Sequence, residues 1–343
     1  MKLIRTEDAV GSVLCHDITQ IIPGVVKDAV FRKGHVVTEA DIPVLLSVGK
    51  EHLYVWEKQE GMLHENDAAE ILRQVCQGSY MRASEPKEGK IELTAVVDGL
   101  LKIDREKLNA VNALGQMVLA SRHGDFPVKK GDRIAGMRVV PLVIEEEKMN
   151  RVKEICSTEP VFRILPFRKL KAGIVTTGSE VYRGRIEDKF TPVVKAKLEE
   201  QGIEVLGNTL SDDKAEMTTD AIREWISGGA DMVVCTGGMS VDPDDRTPLA
   251  IRNASDEVIT YGAPVLPGAM FMLAYKKKED GGEIPILGLP GCVMYARRTI
   301  FDLALPRIAA GERLCAEDFY MLGEGGLCLN CEVCTYPNCG FGK

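Results

Sequence analysis

No apolar run in this 343-residue chain is long enough to cross a bilayer; the longest pieces, such as Ala269 to Tyr275, fall far short of the roughly 20 residues a spanning helix needs. The first residues, Met1 Lys2 Leu3 Ile4 Arg5 Thr6 Glu7 Asp8, place acids where a secretory signal requires an apolar core. Positive charge is not in excess: 43 Lys and Arg stand against 51 Asp and Glu, a formal net charge of -8, which argues against a nucleic-acid-binding surface. These absences predict a cytoplasmic protein without membrane or nucleic-acid partners. Histidine is scarce, five in all. Between residues 61 and 148 no His, Cys or acidic cluster has a spacing that demands chemistry, and His64 and His123, beside polar neighbours, read as surface residues. A secreted disulfide framework is also missing. Six of the ten cysteines, Cys15, Cys76, Cys156, Cys235, Cys292 and Cys315, are scattered in apolar or irregular contexts and read as ordinary thiols.

What is present is an ordinary globular composition, 45% hydrophobic and 27% charged, over a length that predicts about two or three domains. Composition changes divide the chain into 1–60, 61–165, 166–312 and a cysteine-rich tail, 313–343. In the first segment, Val10–Leu14, Ile18–Ile22, Phe31–Val37 and His52–Trp56 read as strands. Thr38 reads as the N-cap of a short helix with Asp41 at its third position. The second segment reads as a small α+β unit, with helices over Ala68–Cys76 and Arg105–Ala113 among strands.

From Lys171 onward strand and helix patterns alternate regularly: Ala172–Thr176, Ile203–Leu206 and Asp231–Cys235 as strands, Thr191–Gln201 and Lys214–Ser227 as helices. Repeated β-α-β implies a mostly parallel sheet with helices on both faces, a three-layer α/β domain. Further strands are expected at Glu257–Thr260, Met270–Tyr275 and Ile284–Leu287, and a closing helix over Val293–Ala309.

In a parallel sheet every strand-to-helix loop emerges at one edge, where open α/β folds bind ligands. That edge would collect Thr177 Gly178 Ser179 Glu180, then Ser211 Asp212 Asp213, then Thr236 Gly237 Gly238 Met239 Ser240 through Asp242, Asp244, Asp245 and Thr247, and Leu289 Pro290 Gly291 Cys292. Glycines let backbone amides approach an anion, and aspartates offer the hard oxygens that suit Mg²⁺. Each loop alone could be an ordinary turn. Together they predict a shared phosphate and metal site.

Taken in order, these segments, with Pro267 Gly268 and Gly288 Leu289 Pro290 Gly291, resemble the molybdopterin-binding domain shared by the molybdopterin molybdenumtransferases (the MoeA and gephyrin group) and the molybdopterin adenylyltransferases. The front of the chain, Glu7 to Leu14 with Asp17 Ile18 and Phe31 to Val55, is similar to parts of the transferases' first domain. Pro23 Gly24 Val25 Val26 stand where those enzymes carry Asp-Gly-Tyr-Ala, and Leu266 and Cys292 replace their usual Lys and Asn. The resemblance implies molybdenum-cofactor biosynthesis: binding of molybdopterin or adenylyl-molybdopterin, with molybdate insertion and Mg²⁺-assisted AMP release, or alternatively binding, delivery or sensing without turnover. It casts Glu180 and Asp245 as catalytic, and Asp212, Asp213 and Asp245 as Mg²⁺ ligands. Thr177, Gly178, Ser179, Gly237, Gly238, Ser240, Pro267, Gly268, Pro290 and Gly291 become the contacts to the pterin phosphate. It further implies a homo-oligomer that meets molybdoenzymes or other cofactor-biosynthesis proteins.

The β-barrel that closes the transferases has no room here. In its place stand Cys328, Cys331, Cys334 and Cys339, spaced Cys-x2-Cys-x2-Cys-x4-Cys among glycines. Soft thiolates at this spacing suit Zn²⁺ or an iron-sulfur cluster, and a disordered thiol tail is the alternative.

Overall fold

The computed structural model describes residues 2–22, 26–55 and 60–343. The chain forms two compact units: Met1–Val96, Ile103–Arg122 and Gly131–Arg163 make the first, and Val97–Lys102, His123–Lys130 and Ile164–Lys343 the second. Two short pieces of the expected middle domain therefore cluster with the second unit, as does the whole 313–343 segment.

In the first unit, Lys2–Arg5 pairs antiparallel with His52–Val55, and Ile18–Ile22 with Val26–Phe31. Leu14, Ile18, Val37, Leu45 and Leu53 form their core. The expected strand over Val10–Leu14 is only a pair of isolated bridges, Val13 to Val36 and Leu14 to Val55. The strand expected over Phe31–Val37 instead ends at Phe31, because the chain turns at Gly34, whose φ is +86°. Thr38 is not the N-cap. The helix is Asp41–Ser47, and the Asp41 carboxylate accepts from Thr38 N and Oγ1, both at 2.8 Å. Trp56 and the segment Pro23 Gly24 Val25 lie outside the described residues. The remainder of this unit includes a four-stranded antiparallel sheet, Met81–Ala83, Lys90–Ala95, Arg133–Val139 and Met117–Ser121 in spatial order, the amphipathic helix Glu65–Cys76, and the helices Arg105–Ala113 and Glu146–Ile155.

The second unit is built on a six-stranded sheet. In chain order its elements are β1 (Lys171–Thr177), α1 (Ser179–Tyr182), α2 (Phe190–Glu200), β2 (Glu204–Ser211), α3 (Ala215–Ser227) and β3 (Met232–Thr236). Then follow α4 (Thr247–Ala254), β4 (Glu257–Tyr261), β5 (Met272–Lys277), β6 (Glu283–Leu289), α5 (Ile300–Ala309) and α6 (Ala316–Tyr320). The spatial order is β2-β1-β3-β6-β5-β4; β2, β1, β3 and β6 are parallel neighbours, and β5 is antiparallel to both strands beside it.

Alternation along the strands builds the layers. Met232 and Val234 face the cluster formed with Val194 and Leu198 of α2 and Phe301 of α5, while Val233 and Cys235 face Ala221, Ile222, Ala250 and Ile251 of α3 and α4. Hence this strand is apolar throughout, as a doubly covered parallel strand must be. Trp225 of α3 lies so close to the sheet that a Cβ at Gly173 would come 2.4 Å from its ring. The closing helix starts later than expected. Gly291–Met294 is a 3₁₀ turn, and α5 begins only at Ile300, where Thr299 and Asp302 form a reciprocal capping box.

Candidate functional site

After β1 the chain moves to β2 on one side, whereas β3 lies on the other, so the carboxyl ends of β1 and β3 flank a topological switch point. Thr176 and Thr236 face each other in register there, and the glycine-rich loop leaves directly from Thr236. Gly237 has φ +82°, and a Cβ on it would sit 2.2 Å from the Thr177 carbonyl oxygen. Gly238, at φ +54°, would place one 2.8 Å from Thr247 Oγ1. The loop is thus seated on Thr177 with no space for a side chain.

Hydroxyls fix this seat. Thr177 Oγ1 donates to Thr236 O at 3.2 Å and lies 3.0 Å from Thr247 Oγ1, both contacts buried. Thr236 Oγ1 donates to Thr176 Oγ1 at 3.3 Å, and Thr176 Oγ1 is 3.0 Å from Thr191 Oγ1 at the start of α2. Asp188 caps that helix, accepting from Phe190 N at 2.8 Å and Thr191 N at 3.1 Å, and receives Asn208 Nδ2 at 3.2 Å. Tyr261, at the end of β4, donates from its hydroxyl to Met239 O at 3.0 Å and so steadies the loop from the far side. Burial pushes the Tyr261 phenol up from its ordinary value. Asn208 and Tyr261 have no local sequence signal; each reaches the site only through the sheet.

The acids take up definite positions. Asp213 Oδ2 accepts from Ser179 N at 2.8 Å, and Asp245 Oδ2 from Ser240 N at 2.7 Å. Asp212 lies 3.6 Å from Arg183 Nη2. Glu180 is exposed on α1, and its carboxylate lies 3.1 Å from where a Cβ on Gly178 would be. Among the described residues no three or more His, Cys, Asp or Glu side chains are gathered closely enough to hold a metal ion. Asp212, Asp213 and Asp245 therefore do not form a preassembled Mg²⁺ site, nor do Cys328, Cys331, Cys334 and Cys339 converge on a single ion. For the aspartates the reason is visible: all three accept from backbone amides, Asp212 from Asp213 N at 3.0 Å, and Asp212 also faces Arg183.

Register brings the remaining segments to the same edge. Leu289 pairs with Thr236, so Pro290 and Gly291 follow beside the glycine-rich loop. Because β5 runs antiparallel, its first residue, Met272, faces Gly288, and Pro267 and Gly268 just before it reach this edge too. A Cβ on Gly268 would come 2.5 Å from Ile300 Cγ2. Leu266 N donates to Gly326 O, and Cys328 N to Leu266 O, each at 2.8 Å, so the cysteine-rich segment lies alongside as a short parallel bridge.

A largely parallel, doubly covered α/β sheet with glycine, threonine and aspartate loops at its switch point defines the class of fold. Residues 173–310 match the family described as "probable molybdopterin binding domain", and residues 3–57 match a domain of unknown function. The chain is 33% identical over 141 residues to the molybdopterin adenylyltransferase of Pyrococcus furiosus, an alignment covering 40% of this chain and 78% of that protein. It belongs to the molybdopterin-binding domain family. It is also 35% identical over 77 residues to a CinA-like protein of Mycobacterium tuberculosis, but these are 22% of this chain and only 18% of that protein's length. Among solved structures, the molybdopterin biosynthesis enzyme MoaB of Thermus thermophilus aligns at 24% identity and a TM-score of 0.36, over 42% of this chain and 98% of its own. The tungsten cofactor synthesizing protein MoaB of Pyrococcus furiosus aligns at 22% and 0.33, over 37% and 84%.

Proposed function

We propose that the loops at the carboxyl edge of β1, β3 and β6 bind the phosphate of molybdopterin, and of its adenylylated form, in molybdenum-cofactor biosynthesis. The observation that carries this reading is the seating of Gly237 and Gly238 on Thr177 at the switch point, where the backbone itself forms the floor of the site. Gly178, Ser179, Ser240, Pro290 and Gly291 line the same edge, and Pro267 and Gly268 approach it from β5. Asp213 and Asp245 each use one carboxylate oxygen on an amide. Mg²⁺ commonly binds through one or two carboxylates together with phosphate oxygens, so in this reading the ion arrives with the ligand, held chiefly by Asp245. Asp212 and Glu180 are the nearby acids left to orient water or the pterin.

The chemistry at such a site concerns the phosphoanhydride between pterin phosphate and AMP. In the leading reading water cleaves it, AMP leaves, and molybdate enters the dithiolene; the cation offsets charge on the leaving phosphate. A second reading is favoured by the identity to an adenylyltransferase: the pterin phosphate attacks the α-phosphorus of ATP and pyrophosphate leaves. One experiment separates them. Purified protein is given adenylyl-molybdopterin with Mg²⁺ and molybdate in one arm, and molybdopterin with Mg-ATP in the other, and AMP and pyrophosphate are followed. Molybdate-dependent AMP release is the expected result. Pyrophosphate release alone would establish the second reading, tight binding without either would leave a carrier or sensor, and no interaction in either arm would refute the site.

A further inference from the structure

The four tail cysteines are not part of the phosphate site, and they are not loose. Tyr336, set between Cys334 and Cys339, is half-buried against the core, donates from its hydroxyl to Asp302 O at 2.7 Å, and carries the Arg298 guanidinium over its ring at 4.8 Å. Phe341 is buried in the main core of the second unit, and Cys328 and Cys339 pack against it. A Cβ on Gly325 would come 2.0 Å from Lys343 O, so glycine permits the chain to close tightly on itself. Thus the segment is a folded module, in contrast to the disordered tail the sequence allowed.

Cys328, Cys331, Cys334 and Cys339 all line one cavity of about 200 Å³. A single Zn²⁺ would draw its sulfurs onto one point at about 2.3 Å, and no three of these cysteines are gathered that way. Four cysteines lining one cavity offer ligands to a body with several metal atoms, which sets its ligands farther apart than a single ion does. The cavity is also bordered by Arg297, which donates from Nη1 to Glu332 O at 2.6 Å and Cys331 O at 3.4 Å, fixing the cysteine loop and placing positive charge beside thiolates. We infer that this cavity holds a cubane-type iron-sulfur cluster ligated by Cys328, Cys331, Cys334 and Cys339. The first three are the closely spaced ligands of one loop and Cys339 completes the set from beyond Tyr336, with half-buried Tyr336 and buried Phe341 lining the same cavity. This assignment is independent of what the carboxyl-edge loops bind.

The test is anaerobic reconstitution of the full chain with ferrous iron and inorganic sulfide, followed by desalting and metal, sulfide and visible-absorption analysis. About four irons and four sulfides per chain are expected, with an absorption that dithionite bleaches. Cys331 and Cys334 are exposed, so Cys331→Ser and Cys334→Ser are expected to fold yet lose most of the iron, while Cys315→Ser keeps it. Zinc at about one per chain without sulfide, or a folded protein that retains no iron, would overturn the assignment. So would iron retained at the same level in both exposed-cysteine variants.

Discussion

His64 shows how far a residue's role depends on its surroundings. Flanked by polar neighbours in sequence, it is buried in the fold, because its ring closes the start of the helix Glu65–Cys76. Nε2 donates to Cys15 O at 2.6 Å while Nδ1 accepts from Asn66 N at 3.2 Å and lies 3.0 Å from Lys33 Nζ, which fixes the neutral tautomer. Burial pushes its pKa down. The unfolded chain therefore takes up a proton on this ring below about pH 6.5 and the folded chain only at lower pH, so stability falls as pH falls through that window. Unfolding free energies from urea titrations between about pH 7.5 and about pH 5 are expected to drop by up to about 1.4 kcal/mol per pH unit more in the native protein than in His64→Gln. Equal slopes would show that His64 is not the group responsible. Glu65 beside it has the opposite sign: burial raises its pKa, so its cost grows as pH rises from the ordinary carboxylate value to the raised one, and the comparison with His64→Gln separates the two groups.

At the scale of elements, α5 is the best-anchored helix of the second unit. Its N-cap Thr299 and Asp302 satisfy each other's amides, and the same Asp302 carboxylate receives Lys197 Nζ of α2 at 2.7 and 2.8 Å and Arg298 Nη1 at 2.8 Å. Lys197 also donates to Arg297 O at 2.9 Å. Both partners are buried, and with Lys197 removed only Arg298 still offsets the Asp302 charge. Lys197→Met is expected to cost about 1.5–3 kcal/mol in urea unfolding, and Asp302→Leu, which also removes the cap and the Arg298 pair, to cost more. A cost under about 1 kcal/mol would mean the pair is solvated. This arrangement also explains a misreading. Periodicity joined Val293 to Ala309 in one helix, since apolar spacing continues through the break, but the capping box at Thr299 and the 3₁₀ turn at Gly291–Met294 set the start. At Thr38 a cap-like pattern is present, yet the helix likewise starts later, at Asp41.

For the whole molecule, the sheet of the second unit was legible because doubly covered strands such as Met232–Thr236 are uniformly apolar and are followed by glycine and acidic turns. The convergence of Thr177, Gly237, Asp213 and Pro290 at one edge follows from parallel topology alone. Contacts that depend on nonlocal register, those of Asn208, Thr191 and Tyr261, were not legible, nor was the interleaving of residues 97–102 and 123–130 with the second unit. Aspartates spaced for Mg²⁺ are also suited to capping amides, and here Asp213 and Asp245 do cap. What remains central is the backbone floor made by Gly237 on Thr177. The most direct test is calorimetric titration of adenylyl-molybdopterin into the native protein and into Gly237→Ala, with folding of both checked by circular dichroism. The account predicts saturable Mg²⁺-dependent binding by the native chain and affinity weaker by about tenfold or more in Gly237→Ala, where a Cβ meets Thr177 O at a left-handed φ. No binding by the native protein, or unchanged affinity in a folded Gly237→Ala, would contradict it.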